Sequence, residues 1–153
     1  MNSTRRPISV YMLIIVLIFQ VFGAFYGGIT LVIDPSGNLL QMPLSNLEGS
    51  PFKDYLFPGL ILLFLLGVFP AFVAYSLIKK PTWKWANKLN IYKDQHWAWT
   101  YSLYVSIMLI IWIDVQIMLI GYGAPIQIVY AFLGIILLVL TLMPQTKNYY
   151  LFN

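Results

Sequence analysis

The sequence contains no cysteine, one histidine and only 9% charged residues. Without cysteine the chain forms no disulfides, thiolate metal sites or cysteine redox centres. A single histidine excludes zinc sites built from a histidine cluster and haem held by two histidines of one chain. Soluble domains carry about 25% charged residues, so the low charge content indicates a membrane protein. We predict no metal and no cofactor.

Long apolar runs fill much of the chain, which is 60% hydrophobic and 17% aromatic. Four of them reach the roughly 20 residues that a helix needs to cross a bilayer. Runs such as Leu60–Leu66 do not alternate apolar and polar residues, which favours helices over barrel strands. We predict an all-α fold, an integral membrane four-helix bundle in one domain of residues 1–153, with spans at residues 8–33, 55–78, 97–120 and 125–143.

Basic residues lie mainly on one side of the predicted spans. Arg5 and Arg6 precede the first span, Lys147 follows the fourth, and Lys53 alone falls in the other set of loops. Five further lysines lie between spans two and three: Lys79, Lys80, Lys84, Lys88 and Lys93. The positive-inside rule predicts a multi-pass protein of the cytoplasmic membrane, with both termini and the loop 79–96 inside and the loop 34–54 outside. Because this orientation accounts for the net charge of +4, no nucleic-acid partner is predicted.

The predicted outer loop is too apolar for a solvated linker. It carries five large apolar side chains: Leu39, Leu40, Met42, Leu44 and Leu47. We expect the loop to fold onto the membrane face or to cap the bundle, either as a cover over a cavity or as an interfacial anchor. Ser50 and Pro51 have the residue types of a helix N-cap and a first helical position, and they are predicted to open span two.

The predicted cytoplasmic loop has the pattern of an amphipathic interfacial helix. Trp85, Leu89 and Tyr92 fall on one helical face, and Lys84 and Lys88 fall on another. An aromatic belt at headgroup depth is expected from Trp83, Trp85, Trp97, Trp99 and Tyr101. The two lysines and the two tryptophans of the loop are predicted to contact lipid headgroups, with anionic lipid as the partner.

Polar and aromatic residues also flank span three and the C-terminus. Asp94 is placed to cap span three. His96 is interpreted as a structural, solvent-accessible residue at the membrane interface. The tail residues Tyr149, Tyr150 and Phe152 are expected to return to the same interface.

Asp114 is the one acidic residue inside a predicted span. An acid at a helix centre costs about 2.5 to 3.5 kcal/mol to insert, so we expect Asp114 to face the bundle rather than lipid. Counting at 1.5 Å per residue places four polar side chains at similar depth: Tyr26, Thr30, Gln127 and Tyr130. We predict a buried polar cluster of these residues and Asp114, which either binds a ligand or ion or satisfies the carboxyl by interhelical hydrogen bonds.

Other residues inside the spans are given packing roles. Gln20 is expected to bond to a neighbouring helix rather than to a substrate. Gln116, about 200° around its helix from the acid, is expected to face a different groove or a second protomer. Gly23-x-x-x-Gly27 predicts a tight helix crossing in the bundle or, as the alternative, a dimer contact. Pro70 frees a carbonyl in span two and is expected to kink the helix.

Loop and span residues together resemble a known group of proteins. The motifs are Asp34-Pro35-Ser36-Gly37, Met42-Pro43-Leu44, Ser50-Pro51-Phe52-x-Asp54-Tyr55-x-x-Pro58-Gly59 and Trp112-Ile113-x-Val115-Gln116 followed by Gly121. In these residues the chain resembles a group of small, uncharacterised bacterial four-span membrane proteins. The resemblance covers most of the chain and implies a four-span architecture in a bacterial cytoplasmic membrane. It implies no activity and transfers no catalytic residue.

The combination of an apolar capping loop and one buried acid favours a non-enzymatic accessory module that binds a small lipophilic ligand or lipid near Asp114. The first alternative is a proton or cation pathway that uses Asp114. The second is a membrane enzyme acting on a lipid at the outer leaflet, for which Asp34, Asp54 and Asp114 form a loose candidate set. Besides the bilayer itself, a homo-oligomer or a larger membrane complex is the expected partner.

Overall fold

The computed structural model describes residues 5–123 and 125–152, so residues 1–4, 124 and 153 of the predicted domain lie outside the described part. Its helices are α1 (Ile8–Ile33), α2 (Leu56–Lys79), α3 (Trp97–Ile120), α4 (Pro125–Leu142) and the short α5 (Pro144–Tyr149). Short 3₁₀ turns lie at Asn38–Leu40, Leu44–Leu47 and Ala86–Leu89. Within the described ranges the extended pairing is limited to one isolated bridge between Gln95 and Leu151.

Helices α1 to α4 are each long and apolar enough to cross a membrane. The predicted all-α, multi-pass architecture is therefore confirmed, with span bounds that agree to within one residue. We call the end of the bundle that carries residues 34–55 the loop end. The opposite end, with Arg5, residues 80–96 and α5, is called the terminal end.

Two glycines set the close packing of α1 on α2. A Cβ on Gly28 would lie 2.7 Å from the backbone nitrogen of Leu63, and a Cβ on Gly59 would lie 2.8 Å from the Cβ of Leu31. Because real Cβ atoms do not approach so closely, only glycine fits at these two positions. The tight crossing predicted from the sequence is present, but Gly28 and Gly59 make its backbone contact.

The glycines of the predicted crossing motif have a different role. A Cβ on Gly23 would collide with the hydroxyl of Tyr130 on α4, and a Cβ on Gly27 would lie 3.0 Å from the side chain of Leu62. Gly23 and Gly27 therefore make room for side chains of two other helices. Both lie at helix contacts inside the bundle, whereas Gly28 is the glycine of α1 that faces the α2 backbone.

Hydrogen bonds made by buried side chains join α3 to α4 and α5 to α1. The indole nitrogen of Trp99 donates to the Thr141 carbonyl at 2.7 Å, and the Thr141 hydroxyl donates to the Ser102 hydroxyl at 3.3 Å. The Thr146 hydroxyl donates to the Ser9 hydroxyl at 2.8 Å and so connects α5 to α1. In an apolar environment each such bond satisfies groups that water does not reach.

At the loop end, residues 34–55 fold over the helices as the sequence predicts. Tyr55 is buried and donates its hydroxyl hydrogen bond to the Pro43 carbonyl at 3.0 Å, while Leu47 packs in the same buried cluster as Leu31. Ser50 does not cap α2, because the helix begins only at Leu56.

Asp54 provides the polar contact at the start of α2. Its carboxylate accepts a hydrogen bond from the backbone amide of Leu56 at 2.9 Å. This is one of the first helical amides, which have no partner within the helix. Ser50 instead accepts a hydrogen bond from the amide of Phe52 within the loop, at 3.2 Å.

The terminal end differs from the sequence prediction at the start of α3. His96 caps the helix, because its Nδ1 accepts a hydrogen bond from the amide of Ala98 at 3.2 Å. Asp94 was the predicted cap, but its backbone carbonyl accepts from the amide of Phe152 in the tail. His96 is only 6% exposed, so its structural role is confirmed and its solvent accessibility is not.

The loop at this end is mostly irregular and its aromatic residues are largely internal. The predicted amphipathic helix is present only as one 3₁₀ turn. On either side of it the backbone makes other contacts: the Pro81 carbonyl accepts from the Trp97 indole, and the His96 amide donates to the Tyr150 carbonyl of the tail. Three aromatic residues of the predicted belt are buried in the core: Trp97, Trp99 and Tyr101. Trp85, Lys84 and Lys88 remain exposed, and Trp83 is half-buried.

The tail returns to the terminal end, but it packs into the protein. Tyr150 is buried, its hydroxyl donates to the Leu77 carbonyl at 2.7 Å, and its own carbonyl accepts from the amide of His96 at 2.8 Å. The Lys80 ammonium donates to the Tyr149 carbonyl at 2.9 Å and lies 3.5 Å from the centre of the Tyr149 ring. The tail thus joins α2 to the start of α3.

We expect Gly28→Ala to destabilise the bundle by about 1 to 3 kcal/mol, the usual cost of an overpacked contact. The added methyl group would force α1 away from the Leu63 backbone. The matched control is Gly123→Ala, where a Cβ meets nothing within 4 Å. Thermal unfolding followed by circular dichroism in detergent tests this, and equal melting temperatures for Gly28→Ala and the wild type would contradict the packing.

Acidification should destabilise the terminal end through His96. Burial, and secondarily the positive charge of Lys80, lower the pKa of His96 below its usual 6.5. The unfolded chain therefore takes up the proton first, and stability decreases as the pH falls through 6.5.

His96→Asn isolates this effect, because asparagine also caps helices but does not titrate. We expect the melting temperature of the wild type to fall more than that of His96→Asn between about pH 7.5 and about pH 5.5. The sequence has no other histidine to titrate there. Parallel pH profiles for the two proteins would show that His96 does not carry the dependence.

Candidate functional site

A cavity of about 500 Å³ lies between the four long helices, below the folded loop. Gln20, Leu66 and Leu109 form its floor, on three different helices. The loop forms the roof with Leu40, Gln41, Met42 and Asn46. Its volume falls within the range of about 300 to 1,000 Å³ that small-molecule sites occupy in proteins.

The cavity extends from the loop end to the middle of the bundle. Gln20 lies about 20 Å along α1 from Ile33, at 1.5 Å per residue. Leu66 lies about 15 Å along α2 from Leu56, and Leu109 is at similar depth on α3. The floor is therefore within the apolar part of the spans, where a polar group without a partner is most costly.

The cavity floor lies at an irregular segment of α2. Pro70 has no amide hydrogen, so it cannot bond to the Leu66 carbonyl four residues earlier. Just before Pro70 the helix contains a π-helical segment, Phe64–Val68, after which the amide of Phe69 donates to the Phe64 carbonyl. The Leu66 carbonyl is the acceptor that Pro70 was expected to free, and the π-helical segment lies beside it. The expected kink stays a prediction.

Gln20 of α1 satisfies the Leu66 carbonyl. Its Nε2 donates to this oxygen at 3.3 Å across the helix interface. The prediction that Gln20 bonds to a neighbouring helix is confirmed. Because Leu66 offers an acceptor, this bond also fixes which end of the amide is the nitrogen.

The other end of the same amide has no partner. Gln20 is 0% exposed, and its Oε1 makes no hydrogen bond among the described residues. A buried acceptor left in this state costs about 1 to 3 kcal/mol. Since Gln20 lines the cavity, a donor placed at the cavity floor would recover that cost.

The structure places three of the five predicted cluster residues at the cavity. Tyr26, Gln127 and Tyr130 line it, whereas Thr30 and Asp114 are not among its lining residues. The Thr30 hydroxyl donates to the Tyr26 carbonyl one turn earlier, at 2.7 Å. Thr30 therefore satisfies its hydroxyl within α1.

The expectation that Asp114 faces the bundle was wrong. Asp114 is exposed on the outer side of α3, whereas Ile113 is buried and Gln116 lines the cavity. The cause is the helical phase, since Leu109, Ile113, Gln116 and Ile120 follow one another at three- and four-residue steps on one face. The sequence does not distinguish this face, because Ile107, Ile111 and Met118 follow the same spacing on the other side of α3.

Gln127 has a structural role beside the cavity. Its Oε1 accepts from the amide of Gly123 at 3.0 Å, and its Nε2 donates to the Gly121 carbonyl at 3.4 Å. Both ends of the amide thus fasten the connection between α3 and α4. Tyr130 lies one turn deeper in the wall, in the space that Gly23 leaves open.

A second, smaller cavity of about 180 Å³ adjoins the first beneath the loop. The two share wall residues, among them Leu31, Met42, Leu62 and Trp112. Most of its other lining side chains are aliphatic or aromatic, such as Leu47, Phe52 and Leu119. Across residues 5–123 and 125–152, no group of three or more histidine, aspartate or glutamate side chains is placed to hold a metal ion.

Gln20 and Pro70 should be energetically coupled. In the wild type, Gln20→Met leaves the Leu66 carbonyl without a donor and is expected to cost about 1 kcal/mol. In a Pro70→Ala background, residue 70 regains an amide hydrogen for that carbonyl, so the same change should cost less. Unfolding free energies of the four proteins in mixed micelles measure the difference, and an equal cost of Gln20→Met in both backgrounds would rule out the compensation.

Known proteins do not assign this chain to a family. No protein-family model matches it, and it matches no curated protein and no solved structure. The resemblance to small bacterial four-span proteins stays a prediction from the loop and span motifs. The cavity itself therefore provides the argument about function.

Proposed function

We propose that the protein binds a lipophilic molecule with a hydrogen-bond donor at its buried end. The observation that carries this proposal is the unpartnered Oε1 of Gln20 at the floor of a cavity of about 500 Å³. A hydroxyl or amide N–H of the ligand would donate to this oxygen. The bond would form in an apolar environment, where an unsatisfied acceptor is costly.

The walls of the cavity suit the apolar part of such a ligand. Leu31, Leu62 and Trp112 line both cavities, so a chain or ring bound in the larger one has apolar space beside it. Met42 of the loop lies over both spaces. An occupant is therefore shielded from the loop end by residues of the folded loop.

Exposed residues at the rim of the cavity support entry of the ligand from the lipid. Tyr26 of α1 is 70% exposed and Ile126 of α4 is 56% exposed, yet both line the cavity. Their exposure supports a rim on the outer surface of the bundle, which would face lipid once the helices are inserted. A lipophilic ligand would thus pass between α1 and α4 without crossing water.

Binding is the role that the lining groups support best. The polar side chains of the wall are amides and phenols, which form hydrogen bonds but exchange no proton readily at neutral pH. Asp114, on which the proton-pathway alternative depends, lies outside this cavity, and so do Asp34 and Asp54 of the candidate set for the enzyme alternative. With the orientation predicted from basic residues, the cavity would open in the outer half of a bacterial cytoplasmic membrane.

A pair of probes that differ only in the donor tests the proposal. We expect a long-chain primary alcohol to bind the full-length protein about tenfold more tightly than its methyl ether, because the ether has no hydrogen to donate to Gln20. Native mass spectrometry from mild detergent reads out both complexes.

The variant Gln20→Met should bring the alcohol to the affinity of the ether, whereas Ile135→Leu, on the exposed face of α4, should leave the difference intact. Equal binding of alcohol and ether by the wild type would refute the donor-specific site. If neither the alcohol nor the ether binds the wild type, the lipophilic site as a whole is refuted.

A further inference from the structure

Asp114 carries a carboxyl group on the membrane-facing side of the bundle. The sequences of α1 to α4 contain two charged residues, Asp114 and Lys79, and Lys79 is the last residue of α2. Asp114 lies about 9 Å along α3 from Ile120, at 1.5 Å per residue. The carboxyl is therefore well inside the apolar part of the span.

Nothing in the described part of the chain pairs with this carboxyl. Asp114 is exposed and makes no hydrogen bond or ion pair within residues 5–123 and 125–152. An aspartate at the centre of a span costs about 2.5 to 3.5 kcal/mol to insert, and intramembrane acids are paired or face a polar interior. The isolated chain satisfies neither condition.

The residues around Asp114 form a continuous exposed stripe on α3. Ile107, Ile111, Asp114 and Met118 follow at helical spacing, and Met118 is 78% exposed. The apolar members alone would suit lipid. The carboxyl in the middle of this stripe requires a polar counterpart at the same depth, which lipid chains do not provide.

A second copy of this chain does not bring the complementary charge. Its spans have no basic residue near the depth of Asp114, because Lys79 lies at the terminal end of α2. Two such stripes facing each other would bring like charges together. Charge complementarity therefore favours a different helix.

We propose that the stripe Ile107, Ile111, Asp114 and Met118 is the docking surface for a transmembrane helix of another protein that carries a lysine or arginine at the depth of Asp114. The ion pair satisfies both charges, and the apolar residues pack on either side of it. Gln116 and the cavity lie on the opposite side of α3, so docking leaves the ligand site free.

The test uses the full-length protein in phosphatidylcholine vesicles with a labelled polyleucine transmembrane peptide. One peptide carries a single lysine about 9 Å from its end, and its control has leucine there. We expect the lysine peptide to associate about tenfold more tightly, as measured by energy transfer. Asp114→Leu should abolish this preference, and Asp114→Glu, which keeps a carboxylate, should retain it.

Each other outcome overturns the proposal. Equal association of the two peptides with the wild type, or an undiminished preference in Asp114→Leu, shows that the carboxyl does not select a cation. The wild type could instead associate with itself. If Asp114→Leu abolishes this self-association and the lysine peptide does not compete with it, the stripe belongs to a contact with a second copy. Unchanged binding of the alcohol probe by Asp114→Leu serves as the folding control.

Discussion

The hydrogen bond from Gln20 to the Leu66 carbonyl is the constraint on which the rest of the bundle depends. Lipid chains offer no hydrogen bonds, so each backbone carbonyl inside the membrane needs a partner in the protein. Pro70 removes the regular partner of Leu66, and the Gln20 amide replaces it from α1 at 3.3 Å. This bond fixes α1 against α2 at mid-depth, while Gly28 and Gly59 fix the same pair nearer the loop end. As a result, the Gln20 Oε1 at the cavity floor has no hydrogen-bond partner among the described residues.

The two ends of the bundle are closed by different means. At the loop end, Tyr55 and Leu47 are buried in an apolar cluster, and burial raises the pKa of the Tyr55 phenol. At the terminal end, the tail is held by the buried Tyr150 and by Lys80, whose pKa is lowered chiefly by burial. Residues of the chain itself therefore close the bundle at both ends of the space between the helices.

Helix α3 has different chemistry on its two sides. Gln116 lines the cavity, while Asp114, two residues earlier, is exposed towards lipid. A neutral amide suits an enclosed space with a lipophilic occupant, and a carboxyl suits an ion pair with a second helix. The ligand site and the docking surface that we propose thus share one helix but no residue. An accessory protein in a membrane complex would use both.

The sequence alone determined the four apolar helices and their bounds, because span length and hydropathy are set by the bilayer and not by neighbouring residues. It also predicted that the loop covers the bundle or anchors it at the interface, that Pro70 frees a carbonyl, and that Gln20 bonds to a neighbouring helix, which follow from local chemistry. Tertiary structure decided which side of α3 faces inward, that Trp97 and Trp99 are buried, and that His96 caps α3. These depend on how the helices are rotated about their axes, which nearly uniform apolar spans do not specify by pattern. For α3 the close contact is with Gly134 of α4, where a Cβ would lie 2.8 Å from the Ile110 side chain.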